Sequence, residues 1–383
     1  MADQTYTLGI DLGTTYTVVA HHGSALSFGP ERTLLPSVLA VMPDGTRCVG
    51  DAARERRVID PANTLLATKR LIGAGTHSQR AARYFEHHPY ARADMNGLAA
   101  IKTRGGIIDP VEVAESILLE AVRSTGQAAA DCSAVVTISS AFGADERQAT
   151  IRAARRVGFG EVHLVEEPIA TSVAYMAHSS LRYAAIYDLG GGTFDFAIVD
   201  CARYPLEVVA NVGDGYLGGE DVDRELAQHV AEVVLRERHW DLTDNAEIFA
   251  RLVAHCELAK IALSSSKETQ ILLDEVDAAG PWTESNKTFV LSRRVLDDIT
   301  LRLVRRTFGI CDEVLGNAGL RTGDIDAIFL AGGSVALPTL SHYVGQYFGK
   351  RPRSDQNPML VVGRGASLLA ARPDLAELLE NAA

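Results

Sequence analysis

The 383-residue chain has only five cysteines, Cys48, Cys132, Cys201, Cys256 and Cys311. They are scattered, odd in number and form no CxxC pair, which excludes a disulfide framework and a thiolate zinc cluster and points to a reducing compartment. No apolar run approaches the roughly 20 residues that span a bilayer. The opening "MADQTYTLGIDLG" enters a strand-like pattern at once, with no basic and then apolar leader. The expected location is the cytoplasm, with no membrane partner. Positive charge is also short: 37 Lys and Arg stand against 49 Asp and Glu, a formal net charge of −12. A binder of phosphate backbones usually carries a basic face, so nucleic acid is excluded as a partner. Low-complexity tracts and Pro/Gly-rich linkers are missing too. What remains, 47% hydrophobic and 22% charged with mean hydropathy +0.04, is an ordinary globular composition on a chain too long for one core.

The sequence does contain a repeat. "TLGIDLGTTYTVVAHH", Thr7 to His22, has a counterpart in "AAIYDLGGGTFDFAIVDC", Ala184 to Cys201. Each reads as an apolar strand, Asp-Leu-Gly, a turn of small residues, and a second alternating strand. Asp11 and Asp188 head the two copies, and "GSALSFG" and "PLEVVANV" offer each a third strand. Further on, "AVVTIS" and "VHLVEEPIATSVAYMAH" in the first half, and "DAIFLAGGSVALPTLSHYVGQYFG" in the second, read as buried strands leading into helices. Three meandering strands followed by alternating helices and parallel strands predict two α/β lobes, with their hairpin tips facing each other across a cleft. The expected division is 1–182 with 357–383 for the first lobe and 183–356 for the second. Smaller subdomains are expected at about 38–110, with "HHPYARADMNG" as loop, and at about 223–300, largely helical. With no linker between them, the lobes should share one continuous hinge.

Turns built from Gly and Thr offer N–H groups and hydroxyls that can surround a phosphate. Carboxylates beside such turns suit Mg²⁺ held through water. One such turn is as readily a plain hairpin; two in corresponding places are a stronger signal. The set resembles the actin-like ATPase superfamily. With "KRLIG" (69–73), "ERQAT" (146–150), "EEPIATSVAY" (166–175), "GYLGGEDVD" (215–223) and "LAGGS" (330–334), it is similar to the nucleotide-binding domain of heat shock protein 70 (DnaK-type) chaperones over nearly the whole chain.

The resemblance implies two duplicated actin-like (ribonuclease H-like) lobes that bind ATP or ADP with Mg²⁺ and hydrolyse ATP slowly. Its implied partners are a protein client, a co-chaperone or a nucleotide exchange factor. Asp11, Asp188 and Asp195 match carboxylates around the metal, mostly through water. Lys69 matches the lysine reaching the γ-phosphate and Glu167 the carboxylate orienting water; with Thr193, Asp195 and Asp11 they form the implied catalytic set. The implied nucleotide contacts are Gly13, Thr14, Thr15 and Tyr16; Gly190, Gly191, Gly192 and Thr193; Gly218, Gly219 and Glu220; and Gly332, Gly333 and Ser334. Glu257, Lys260 and Ser264, at i, i+3 and i+7, share one helical face and match positions that hold adenosine. Such chemistry is reasonable, because phosphoryl transfer mainly needs positioning and charge neutralisation. Two rivals stay open: a nucleotide-dependent binding module with little turnover, and a small-molecule kinase, for which no additional Asp base is evident.

The chain also departs from the family. Where the family continues into a linker and a peptide-binding domain, this sequence stops at "PDLAELLENAA", so no such domain is expected in it, whether through truncation or because the protein stands alone. Ser139 replaces a proline and Ala336 an arginine that packs on adenine; Met359 stands where an acidic residue follows Asn-Pro. Loss of the arginine predicts weaker nucleotide binding. His163 and Glu166 differ where a co-chaperone would dock, although Arg147 is retained. "GDGYLG" satisfies GxGxxG, but the helical sequence that follows runs too long for a prompt βαβ unit. Cys256 is expected to be buried and inert, and His21, His22, His87 and His88 to be surface residues without ligand spacing.

Overall fold

Alternation of buried residues builds the frame. The computed structural model describes residues 6–30, 32–176, 181–202, 205–353, 355–372 and 374, so most of the C-terminal "PDLAELLENAA" lies outside the described residues. The first major sheet runs in the order Glu161–Glu166, Cys132–Ile138, Tyr6–Leu12, Tyr16–His21, Ser24–Ala25, with Leu35–Pro36 pairing beside Tyr16–His21. Tyr6–Leu12 pairs parallel with Cys132–Ile138 and antiparallel with Tyr16–His21. The second runs Glu207–Asp214, Phe194–Asp200, Tyr183–Leu189, Ala327–Ala331. Here too the central strand, Tyr183–Leu189, is antiparallel to the strand after it and parallel to a later one.

All seven residues of Cys132–Ile138 are buried, as expected of a strand covered on both faces. Ala134 and Val136 point into a core with Ile117, Leu118, Ala149 and Ala153, on the helices Pro110–Arg123 and Ala144–Val157. Val135 points the other way, toward Ala170 and Ala366 on the helices Glu167–Met176 and Val361–Ala370. The same cluster takes Ala184, Ile186, Ala197 and Phe329 from the second sheet. These two helices therefore lie between the sheets, and one shared core fixes the sheets relative to each other. The far face of the second sheet, through Ala185, Tyr187 and Leu189, joins Leu226, Val230, Leu252, Leu303 and Val344. Those residues come from helices Gly219–Arg238, Ala246–Leu263, Arg293–Ala318 and Leu340–Phe348.

Local chemistry sets the helix starts. Asp109 accepts the Glu112 N–H at 2.7 Å, and Pro110 opens the helix behind it. Glu161–Glu166 runs without a loop into Glu167–Met176, so Glu167 is the first helical residue and sits at a sheet end.

Two expectations are corrected, and a third is filled out. "HHPYARADMNG" is not all loop: Ala91–Met95 is an antiparallel partner of Leu98–Thr103. The turn between them is Asn96-Gly97, both with positive φ, 57° and 84°, the strongest short hairpin signal. The polar composition of Ala91–Met95 reflects an outer strand of its sheet with little burial. The 223–300 stretch holds, besides its helices, a two-stranded sheet, Glu268–Leu272 with Thr288–Ser292. Of the four histidines only His22 is exposed. His21 stacks on Tyr6 at 4.0 Å, and His88 stacks on Tyr90 at 5.2 Å. Among the described residues, no helix is long and apolar enough to cross a membrane.

Candidate functional site

Both central hairpins deliver their turns to one cavity of about 440 Å³. From the first come Asp11, Gly13, Thr14, Thr15 and Tyr16; from the second, Asp188, Gly190, Gly191 and Thr193. The turns touch. A Cβ on Gly191 would lie 2.0 Å from Thr15 Oγ1, so the approach requires glycine. Asp188 stands directly opposite Asp195 across the second hairpin.

Lys69, on the short 3₁₀ turn Thr68–Leu71, donates to Glu167 Oε1 at 2.7 Å. The Thr137 hydroxyl donates to Asp11 at 3.0 Å and the Ser139 hydroxyl to Asp195 at 3.0 Å. Burial, reinforced by the Glu167 charge, pushes Asp11 and Asp195 each up to about 7. Asp188 rises well above the carboxylate range, through burial and then through Glu167, Asp195 and Asp11. Burial works against the Lys69 ammonium, but Glu167 and Asp11 outweigh it and hold the group above its usual value. Four acids thus crowd one lysine.

Among the described residues, no three His, Cys, Asp or Glu side chains stand close enough to ligate one ion directly. The donor set still fits a hydrated Mg²⁺, which keeps much of its water shell and needs few direct ligands. Buried acids that repel each other are relieved by such a charge.

At the other end, Glu257, Lys260 and Ser264 line the cavity with Gly332, Gly333 and Ser334. Ala336, Leu337, Pro358, Met359 and Val362 add an apolar wall. Ser334 donates to the Gly190 carbonyl at 2.7 Å, tying this loop to the second hairpin. Glu257 is held by Arg54, at 3.0 Å, and by Arg57. Burial disfavours its charge, yet Arg57, Lys260 and Arg54 push it down to about 2. Lys260 donates to Asp223 at 2.7 Å and to the Gly219 carbonyl at 2.9 Å. Ser264 follows the last helical residue and donates back to the Lys260 carbonyl at 3.2 Å.

Gly192, Asp195, Gly218, Gly219 and Glu220 are not on the cavity wall. Gly219 N–H donates to the Gly190 carbonyl at 3.1 Å and Glu220 N–H to the Gly191 carbonyl at 2.6 Å. The start of helix Gly219–Arg238 therefore backs the glycine turn, where direct nucleotide contact was the expectation. The Glu220 carboxylate pairs with Arg70 at 2.9 Å, and Arg70 also donates to the Gly192 carbonyl. Arg54, Arg57 and Arg70 were not among the sequence candidates. The dense "RERR" at 54–57 and the arginine beside Lys69 were visible signals, but Glu257, which Arg54 and Arg57 hold, and the Gly192 carbonyl, which Arg70 holds, lie 122 to 203 residues away.

Glu166 pairs with Arg147 at 2.6 Å, and His163 with Glu161 at 3.0 Å. Cys256 is fully buried, and burial pushes its thiol well up, as an inert thiol requires. Behind "GDGYLG", helix Gly219–Arg238 is followed by a second helix, Ala246–Leu263, so no prompt βαβ unit forms.

Fold and cavity together define a mixed α/β protein with a cleft between two sheets that is acid-lined at one end and apolar-walled at the other. The family model described as "Hsp70 protein" matches residues 7–373. A Chaperone protein HscA homolog from Cupriavidus necator is 35% identical over 370 residues, covering 95% of this chain and 57% of the relative. The chain belongs to the Hsp70 family. It spans little more than half the length of that relative.

Proposed function

We propose that this chain is a Mg·ATP-binding, slowly hydrolysing ATPase module with a duplicated actin-like fold, lobes 1–182 with 357–383 and 183–356, working in the cytoplasm. The carrying observation is the contact of Gly191 with Thr15 at a cavity ringed by Asp11, Asp188, Glu167 and Lys69. Facing turns of Gly and Thr can offer N–H groups and hydroxyls from both sides, as an extended polyphosphate requires. The matching strand directions of the two sheets support the duplication.

In this reading, Lys69 stays charged beside Glu167 and meets the terminal phosphate. Glu167 orients the attacking water, with Asp195 and Asp11 fixing the geometry around it. Mg²⁺ held through water by Asp11, Asp188 and Asp195 would offset the phosphate charge. Glu257, Lys260 and Ser264 flank the adenosine, and the apolar wall from Ala336 to Val362 takes the base. Hydrolysis then alters how the two lobes close, and a client, co-chaperone or exchange factor reads that change.

Isothermal titration with ATP and ADP, beside single-turnover hydrolysis, tests the reading. Saturable binding of both nucleotides and slow phosphate release are expected. Binding without turnover would favour a regulatory binding module, and absence of binding would refute the assignment.

A further inference from the structure

We propose that Ser139 is a positioning residue for hydrolysis, its hydroxyl fixing the Asp195 carboxylate from the opposite side of the cleft. The inference rests on the ATPase reading above. Ser139 directly follows Cys132–Ile138 of the first sheet, whereas Asp195 belongs to Phe194–Asp200 of the second. The 3.0 Å bond between them therefore joins the two sheets inside the acid cluster. Among the described residues, no other side chain donates a hydrogen bond to Asp195.

The direction of that bond is set locally. Ala141 N–H donates to Ser139 Oγ at 3.2 Å, occupying a lone pair and leaving the hydroxyl proton for the carboxylate. Phe142 N–H donates to the Ser139 carbonyl at 3.1 Å and closes the turn. Arg147 holds the Phe142 carbonyl at 3.0 Å while pairing with Glu166. The Phe142 ring lies 5.7 Å from the Lys69 ammonium. One short turn thus contacts Asp195 on one side and Lys69 on the other. Proline, which the family resemblance leads one to expect at this position, has no side-chain proton to give.

The test compares wild type with Ser139→Ala, Ser139→Thr and Ser139→Val, each measured for single-turnover ATP hydrolysis and for ATP affinity by titration. Ser139→Ala should slow hydrolysis about tenfold, as loss of a hydrogen bond to a charged group does, with ATP affinity unchanged. Ser139→Thr keeps the hydroxyl and should recover most of the rate, while the isosteric Ser139→Val should not. Should Ser139→Ala fail to fold, the Thr and Val pair reads the same hydroxyl. A Ser139→Ala rate within threefold of wild type, a threonine variant no faster than valine, or a parallel loss of affinity overturns the proposal. If the wild type itself turns over no ATP, the ATPase reading fails first and takes the proposal with it; normal wild-type turnover beside an indifferent Ser139→Ala sinks the proposal alone.

Discussion

The two central hairpins share a backbone plan and differ in what faces the leading aspartate. Across the first, Asp11 stands opposite Val18. Across the second, Asp188 stands opposite Asp195. The first turn carries two threonines and one glycine, the second three glycines and one threonine, backed by the start of helix Gly219–Arg238. Burial and the Glu167 charge push Asp11 up to about 7, and burial with Glu167, Asp195 and Asp11 pushes Asp188 well above the carboxylate range. The second hairpin therefore sets two like charges face to face where the first sets one acid against a valine. A repeated scaffold need not carry repeated chemistry. The register is the same in both, each leading aspartate facing the residue seven positions on, so the side chain at that place, Val18 or Asp195, decides whether a second acid stands opposite.

The largest effect should come from the one lysine that answers both hairpins. Lys69→Ala should slow single-turnover hydrolysis by about 10²–10³-fold, the scale of losing one charge-stabilising group, and leave ATP affinity within about threefold. Unchanged turnover would remove Lys69 from the chemistry.

Contact between the turns is tested next. In Gly191→Ala the new methyl meets Thr15, an overpacking cost of about 2 kcal/mol, so ATP affinity should fall about 30-fold by titration. An unaltered Kd would mean that the turns need not meet to hold nucleotide.

A smaller gain is expected at the apolar wall. Ala336→Arg should tighten ATP binding about fivefold, from a cation–π contact of about 1 kcal/mol; equal or weaker binding would show that the wall has no place for a guanidinium.

The smallest effect separates the hairpins by pH. An acid raised in the folded state keeps a proton that the unfolded chain gives up above about 4, so its ionisation erodes stability as pH climbs from about 4 to about 7. Without metal, Asp188→Asn should then raise Tm by a few degrees at pH 8 and little at pH 4, and by more than Asp11→Asn does. Equal shifts for the two variants would erase the distinction drawn between the hairpins.

Much of the frame was legible because it rests on local patterns. The Asp-Leu-Gly repeats, the apolar "AVVTIS" and the unbroken passage from strand to helix at Glu167 each carry their own period and turn signals. Lys69, Glu167 and the hairpin acids could be named because short motifs surround them. Arg57 and Glu257 illustrate the opposite case: the pair is 200 residues apart in sequence, and an arginine in a charged run looks solvated until the cleft brings its partner. The support given by Gly218, Gly219 and Glu220 was likewise hidden, since a glycine-rich motif does not say whether it faces a ligand or another glycine turn. Ala91–Met95 was misread because an outer, weakly buried strand lacks the apolar alternation that marks buried ones, although Asn96-Gly97 announced its hairpin.

A crystal structure with a non-hydrolysable ATP analogue and magnesium tests the central claim most directly. The account predicts backbone N–H groups of residues 13–15 and of 191–193 on the same triphosphate, with Lys69 at its terminal phosphate. A nucleotide held by one turn alone, or seated outside this cleft, would contradict it.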